Sequence, residues 1–364
     1  MIAWVLLASL AASPANAPTN VDPVQRAFTP PRPGARDWIA SFDSPELVGA
    51  SGNGRTDPAR VGVHLPPDPS ACPKQCWLVV LLPGFDATPE VFALAIEGLD
   101  RAEKAHTLPP LLVLTPDGRT RLGGGWYTDS ISSGQWASWL WDRVLPAARA
   151  TVAREIPAER TVVLGHSMGG FGAISFALTH PEAFAGAAGL SPILNPKSLF
   201  DIASEHASRS SEQSNMPNEI ANPKAEHFFE RIHASLSQAF LLRNMLIDSS
   251  RSWTVVDLTH GFGNRLRLIK RIYVASGNRD VLVPAESLED FERELREAHI
   301  DAAQAEVVLH DGDHLDHRDS DIEAALRFLT ASESESPSKT DSKTNSHPDS
   351  MSTPKPSSAS SNSH

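Results

Sequence analysis

Gly165-His166-Ser167-Met168-Gly169 constrains this chain more than any other stretch. It fits a G-x-S-x-G pattern. Residues 161–164 before it are Thr, Val, Val and Leu, and the stretch from Met168 to His180 after it is rich in small residues. The reading is strand, sharp turn, helix. Such a turn strains its central residue and crowds it between backbone segments, so the neighbours must be small. Gly165, Gly169 and Gly170 supply that room. The turn lifts the Ser167 hydroxyl into the open and points backbone N–H groups at the same spot.

A serine hydroxyl is a weak nucleophile until a base takes its proton, and the base needs an orienting acid. On a turn of this kind they follow in the order Ser, then Asp or Glu, then His. Residues 270–276 read as a buried strand running into Gly277-Asn278-Arg279-Asp280. Asp280 is thus at the carboxyl end of a strand, where catalytic groups gather in open α/β sheets; a turn or helix-capping Asp is the alternative. Residues 305–309 form another strand, followed by His310, His314 and His317. Gly312 supplies a turn back over the sheet toward Ser167, which favours His314. His310 stays at the strand end, and His317 opens the last helix.

The same segment carries Asp311, Asp313, Asp316, Asp319 and Asp321. It lacks the Gly and terminal Glu spacing of an EF-hand, and no second His cluster completes a zinc site. Acids near a helix start are favoured by the macrodipole, so an acidic loop and helix N-terminus is the reading. No metal and no organic cofactor is implied. The chemistry also needs two backbone donors for a developing oxyanion. Met168 follows the nucleophile and supplies one. The strand at residues 77–82 ends in Pro83-Gly84-Phe85-Asp86. Pro83 has no N–H, so Phe85 is the candidate for the other.

These residues together resemble the putative-esterase family of α/β-hydrolases, which includes S-formylglutathione hydrolases, feruloyl and other carboxylesterases, and mycobacterial mycolyltransferases. The matching pieces are Val63-His64-Leu65-Pro66-Pro67, Leu81-Leu82-Pro83-Gly84-Phe85, Pro116-Asp117-Gly118-Arg119, Trp126-Tyr127-Thr128-Asp129-Ser130, residues 165–172 and Gly312-Asp313-His314. The resemblance covers residues 45–195 well and 268–328 more loosely. It implies an α/β-hydrolase fold: a mostly parallel central sheet flanked by helices. It implies a Ser167, Asp280, His314 triad with Phe85 and Met168 as oxyanion donors. Trp126, Tyr127 and His166 are the substrate-contact candidates. The implied activity is a serine carboxylesterase acting through an acyl-enzyme on a small-molecule, lipid or carbohydrate ester. An acyltransferase and a non-catalytic binding module are the alternatives. The chain departs from the family in having Pro83-Gly84 where many members have His-Gly, and in the long segment 195–267.

Length and charge agree. A chain of 364 residues suits one large α/β domain plus extensions. A formal charge of −12 with no basic runs argues against nucleic acid or an anionic membrane surface as partner. Residues 2–12 are apolar but too short to span a bilayer, and Ala15-Asn16-Ala17 fits a small-x-small cleavage site. Residues 1–17 therefore read as a signal peptide, which predicts export to the periplasm or medium and no span after cleavage. In an oxidising compartment Cys72 and Cys76 are expected to form a disulfide.

Residues 18–44 are expected as a Pro-rich extended lead-in, 45–330 as the catalytic domain, and 331–364 as a disordered Ser/Thr/Pro-rich tail. Two early strands are expected at 46–50 and 59–64. A helix starts at Thr88-Pro89-Glu90, and a fourth strand lies at 111–114. Trp136, Trp139, Leu140 and Val144 share one helical face, read as core packing rather than a carbohydrate platform. Residues 195–267 form a cap or lid insertion between strands 6 and 7. Within it, 204–223 is polar and loose. Residues 226–248 carry the helical apolar pattern Phe228, Phe229, Ile232, Leu236 and Phe240. The insert is expected to build the acyl or alcohol pocket; an accessory surface helix pair is the alternative.

Overall fold

The computed structural model describes residues 22–213 apart from Pro73, residues 223–240, residue 258 and residues 263–331. The signal-peptide and tail readings, and residues 241–248 of the insert's helical pattern, lie outside the described residues.

Eight strands form the central sheet: β1 (Asp37–Phe42), β2 (Ala59–His64), β3 (Trp77–Leu82), β4 (Leu111–Pro116), β5 (Thr161–His166), β6 (Gly186–Leu190), β7 (Ile272–Gly277) and β8 (Ala305–His310). Their order is β1-β2-β4-β3-β5-β6-β7-β8. β2 runs antiparallel to both of its neighbours, and every other pairing is parallel. Among the described residues the helices are α1 (Pro23–Ala27), α2 (Ala93–Lys104), α3 (136–150), α4 (Met168–Thr179), α5 (Pro196–Gln213), α6 (Pro223–Ala239), α7 (Gly263–Leu266), α8 (Ala285–Glu297) and α9 (Arg318–Thr330), with short 3₁₀ turns between them.

The central strands are apolar throughout because both faces are covered. Leu78, Val80 and Leu82 of β3 join the core under α4, while Val79 and Leu81 join the opposite core with Leu99 of α2 and Ile322, Leu326 and Leu329 of α9. Truncating any of these leucines to alanine costs about 2–5 kcal/mol through lost burial and the cavity left behind. Trp136 and Trp139 of α3 are fully buried, so that aromatic face is core and not a platform for sugar.

Three sequence expectations are corrected. Residues 18–44 are not simply a lead-in: Asp37–Phe42 is edge strand β1, paired from Asp37↔His64 to Phe42↔Ala59. α1 is seated on it, with Trp38 Nε1 donating to the Ala27 carbonyl at 3.2 Å. Residues 46–50 do not form a strand. Pro45–Leu47 is a 3₁₀ turn, and Gly49 has φ +69° in the left-handed region, which a ladder excludes. Residues 204–213 belong to α5 rather than to a loose stretch, because Leu199 and Ala203 anchor that helix in the core. Cys72 and Cys76 are joined by a disulfide ahead of β3. Among the described residues no helix is long and apolar enough to cross a membrane.

Candidate active site

β5 delivers Ser167 at φ 58°, ψ −119°, a conformation that costs on the order of 1–3 kcal/mol and persists only where surroundings fix it. They do. The Ser167 N–H donates to the Leu190 carbonyl at 2.8 Å, and the Ser167 carbonyl accepts from Phe171 at 3.1 Å. A side chain at Gly165 would strike the backbone of Gly169, and one at Gly169 would strike that of Leu82. The small neighbours are therefore a steric requirement of the turn.

Asp280 lies in the loop after β7. Its Oδ1 accepts the N–H groups of Leu282 at 2.9 Å and Val283 at 3.1 Å, while Oδ2 faces His314 Nδ1 at 2.7 Å. The turn-capping role and the role of a histidine partner are thus filled by different oxygens of one carboxylate. Burial pushes this carboxyl up, but the hydrogen bond and charge of His314, with the two N–H donors, outweigh it and hold Asp280 below the usual value.

His314 lies in the loop after β8. Asp313 Oδ1 accepts from Leu315 at 3.0 Å, and the Gly312 carbonyl accepts from Arg279 at 2.9 Å, which fixes the loop's curvature. The ring bridges Asp280 to Ser167, with Nε2 2.8 Å from Ser167 Oγ. The tautomer that satisfies both partners has Nδ1–H donating to Asp280 and Nε2 accepting from the hydroxyl. Ser167, Asp280 and His314 are therefore brought into one hydrogen-bonded line. Of the other histidines, His310 ends β8 and meets Asp321 at 2.8 Å, and His317 caps α9; neither reaches Ser167.

His166 is buried beside them. Its Nε2 donates to the His314 carbonyl at 2.8 Å. Burial first, then the neighbouring His314, drives its pKa down to about 3, so the ring stays neutral. Phe85 and Met168 flank Ser167 on β3's exit loop and at the start of α4. Among the described residues neither N–H has a protein acceptor. Gly84 brings the β3 loop up to the elbow: a Cβ there would sit 3.3 Å from Ser167 Cβ.

These groups open on a cavity of about 310 Å³. Val91, Phe92, Trp126 and Ile193 come from the body, and Leu199, Phe228 and Ile232 come from the insert. Helix α6 is tied over the site by polar contacts. Arg231 pairs with Asp86 at 2.7 Å. Ser235 donates to the Gly124 carbonyl at 2.7 Å and accepts from Trp126 Nε1 at 2.9 Å. Of the expected substrate-contact residues, Trp126 and His166 line this cavity. Tyr127 does not, and that expectation is corrected: its ring is buried away from this cavity, and its hydroxyl donates to the Pro83 carbonyl at 3.1 Å. A larger cavity, about 750 Å³, lies on Tyr127's side and does not include Ser167.

Sequence reading missed Leu199, Leu282, Leu315 and Arg318 as lining residues. Only Arg318 carried a signal, being a cation in the first turn of a helix, against the macrodipole. Among the described residues no group of three or more His, Cys, Asp or Glu is placed to hold a metal ion.

Residues 55–317 match the family model described as "Putative esterase". A ferulic acid esterase superposes with a TM-score of 0.54 at 17% identity, covering 81% of this chain and 98% of that one. S-formylglutathione hydrolase from Agrobacterium tumefaciens gives 0.53 at 20% identity, covering 80% and 95%. The fluorophosphonate-binding serine hydrolase F of Staphylococcus aureus gives 0.51 at 16% identity, covering 82% and 100%. At these identities the likeness is one of fold.

Proposed function

This chain belongs to the putative esterase family, and on that premise we propose that it is a serine carboxylesterase working through an acyl-enzyme. The observation that carries the proposal is the hydrogen-bonded line Ser167–His314–Asp280 opening on an apolar cavity.

Ser167 Oγ attacks the ester carbonyl while His314 Nε2 takes its proton. Asp280 holds the ring in the tautomer that leaves Nε2 free and stabilises the imidazolium that forms. The Phe85 and Met168 N–H groups receive the oxyanion, each contributing about 3 kcal/mol to lowering the barrier. His314 returns the proton to the leaving alkoxide, then activates water to release the acid. Protein groups and water carry every step.

Substrate size follows from the cavity. About 310 Å³ is at the low end of small-molecule sites, and its walls are apolar. Leu199, Phe228 and Ile232 narrow it, so the insert acts as the lid that sets acyl size and excludes water. The chain is exported; the Cys72–Cys76 disulfide and the N-terminal residues 1–17 support that location.

The test is hydrolysis of a p-nitrophenyl ester series from acetate to palmitate. An optimum at short acyl chains, lost in Ser167→Ala, is expected. Turnover that survives in Ser167→Ala overturns the reading. An optimum at palmitate overturns the size argument.

A further inference from the structure

The cavity at Ser167 is lined by one permanently charged residue that the reaction does not use. Its ionisable lining residues are His166, His314 and Arg318. His166 is held neutral and His314 is the base, so Arg318 is the permanent charge. Its guanidinium carbon lies 5.8 Å over the Phe92 ring, and its Nε donates to Asp319 Oδ1 at 2.9 Å. Among the described residues the two terminal nitrogens have no acceptor. The side chain is 22% exposed, so it is partly withdrawn from water.

Arg318 is the first residue of the 13-residue helix α9. A cation there opposes the macrodipole, and the other charged residues of that turn, Asp319 and Asp321, are acids. The Phe92 and Asp319 contacts engage only the guanidinium's face and its Nε, and helix stability does not call for a cation here. A planar fork of N–H donors on a partly dehydrated arginine fits a carboxylate.

Resting on the esterase reading above, we propose that Arg318 is a specificity residue and that the substrate is an ester bearing a carboxylate besides the scissile bond. That carboxylate accepts from the terminal nitrogens of Arg318 while the ester carbonyl sits at Ser167. The rest of the substrate lies against apolar walls. The class includes half-esters of dicarboxylic acids, with the carboxylate on the acyl side, and acyl esters of hydroxy acids, with it on the alcohol side.

The experiment measures kcat/KM of the full chain on two matched pairs. On the acyl side, monoethyl adipate is compared with its neutral amide. On the alcohol side, the butyrate ester of para-hydroxybenzoate is compared with that of para-hydroxybenzamide. In at least one pair the carboxylate ester is favoured about tenfold or more, as expected for a charge-assisted bond in a partly dry site. The favoured pair identifies the side. Arg318→Gln collapses that ratio toward one, Arg318→Lys keeps part of it, and Arg318→Glu inverts it. In wild type the ratio falls with added salt. The proposal is overturned if wild type distinguishes neither pair, or if Arg318→Gln and Arg318→Glu leave the ratio unchanged. Ester turnover that is absent, or equal in Ser167→Ala, overturns the esterase reading itself, and this one with it.

Discussion

His166 Nε2 donates to the His314 carbonyl at 2.8 Å, so the residue before Ser167 holds the backbone of the histidine proposed to activate it. The contact joins the end of β5 to the loop after β8. In steady-state kinetics His166→Ala is expected to free that loop and lower kcat about tenfold, with KM changed less, and His166→Gln, which keeps a donor, to recover part of the loss. The folded pKa of His166 is depressed from 6.5 to about 3. Its contribution to stability is therefore present above about 6.5 and is lost as pH falls toward 3. Denaturant unfolding at neutral and mildly acidic pH should show this slope in wild type and a shallower one in His166→Gln.

Asp280 serves two masters through two oxygens, and two substitutions separate them. Asp280→Asn keeps an acceptor for Leu282 and Val283 but favours the wrong His314 tautomer. It should retain most of the thermal stability and lose about 10³–10⁴ in kcat. Asp280→Ala also strips the turn of its acceptor and should cost a further ~1–2 kcal/mol of stability. Melting curves and steady-state kinetics on both variants make the comparison.

The Arg231–Asp86 pair joins helix α6 to the loop that carries Phe85. Its side chains are 28% and 47% exposed, so its coupling in stability should stay below about 1 kcal/mol. Its effect on turnover is expected to be larger, because it fixes the loop presenting Phe85, the proposed oxyanion donor. A double-mutant cycle with Arg231→Gln and Asp86→Asn, read in kcat/KM and in unfolding, should show coupling mainly in the first.

Glu103 of α2 is buried, with Oε1 lacking a hydrogen-bond partner. Burial, then Asp100, raises its pKa from 4.5 to about 8. The folded state thus keeps a proton that the unfolded state has lost. The associated stability is full below about 4.5 and disappears as pH rises through about 8. Glu103→Gln removes that loss and should be more stable than wild type at pH 8 by on the order of 2 kcal/mol. Urea unfolding across this range checks the sign.

The elbow was legible because its requirement is local: Gly165 and Gly169 cannot carry a side chain without striking backbone. Asp280 and His314 were legible because strand ends and a following Gly312 announce themselves in sequence. β1 was not. Its strand follows a Pro-rich stretch, and only alternate residues, Ala40 and Phe42, are buried in its second half. Tyr127 sits beside Trp126 in sequence but faces another way, and nothing local separates the two. The α6 contacts join residues more than a hundred positions apart, such as Ser235 with Trp126, and no spacing rule reaches that far.

Active-site labelling is the decisive test of Ser167 as the activated nucleophile. The full chain is treated with a fluorophosphonate, digested and mapped by mass spectrometry, beside Ser167→Ala and His314→Ala. One adduct is expected on Ser167 in wild type, none in Ser167→Ala, and labelling slowed by orders of magnitude in His314→Ala. A folded wild-type chain that stays unlabelled, or an adduct on another serine that persists in Ser167→Ala, would contradict that role for Ser167.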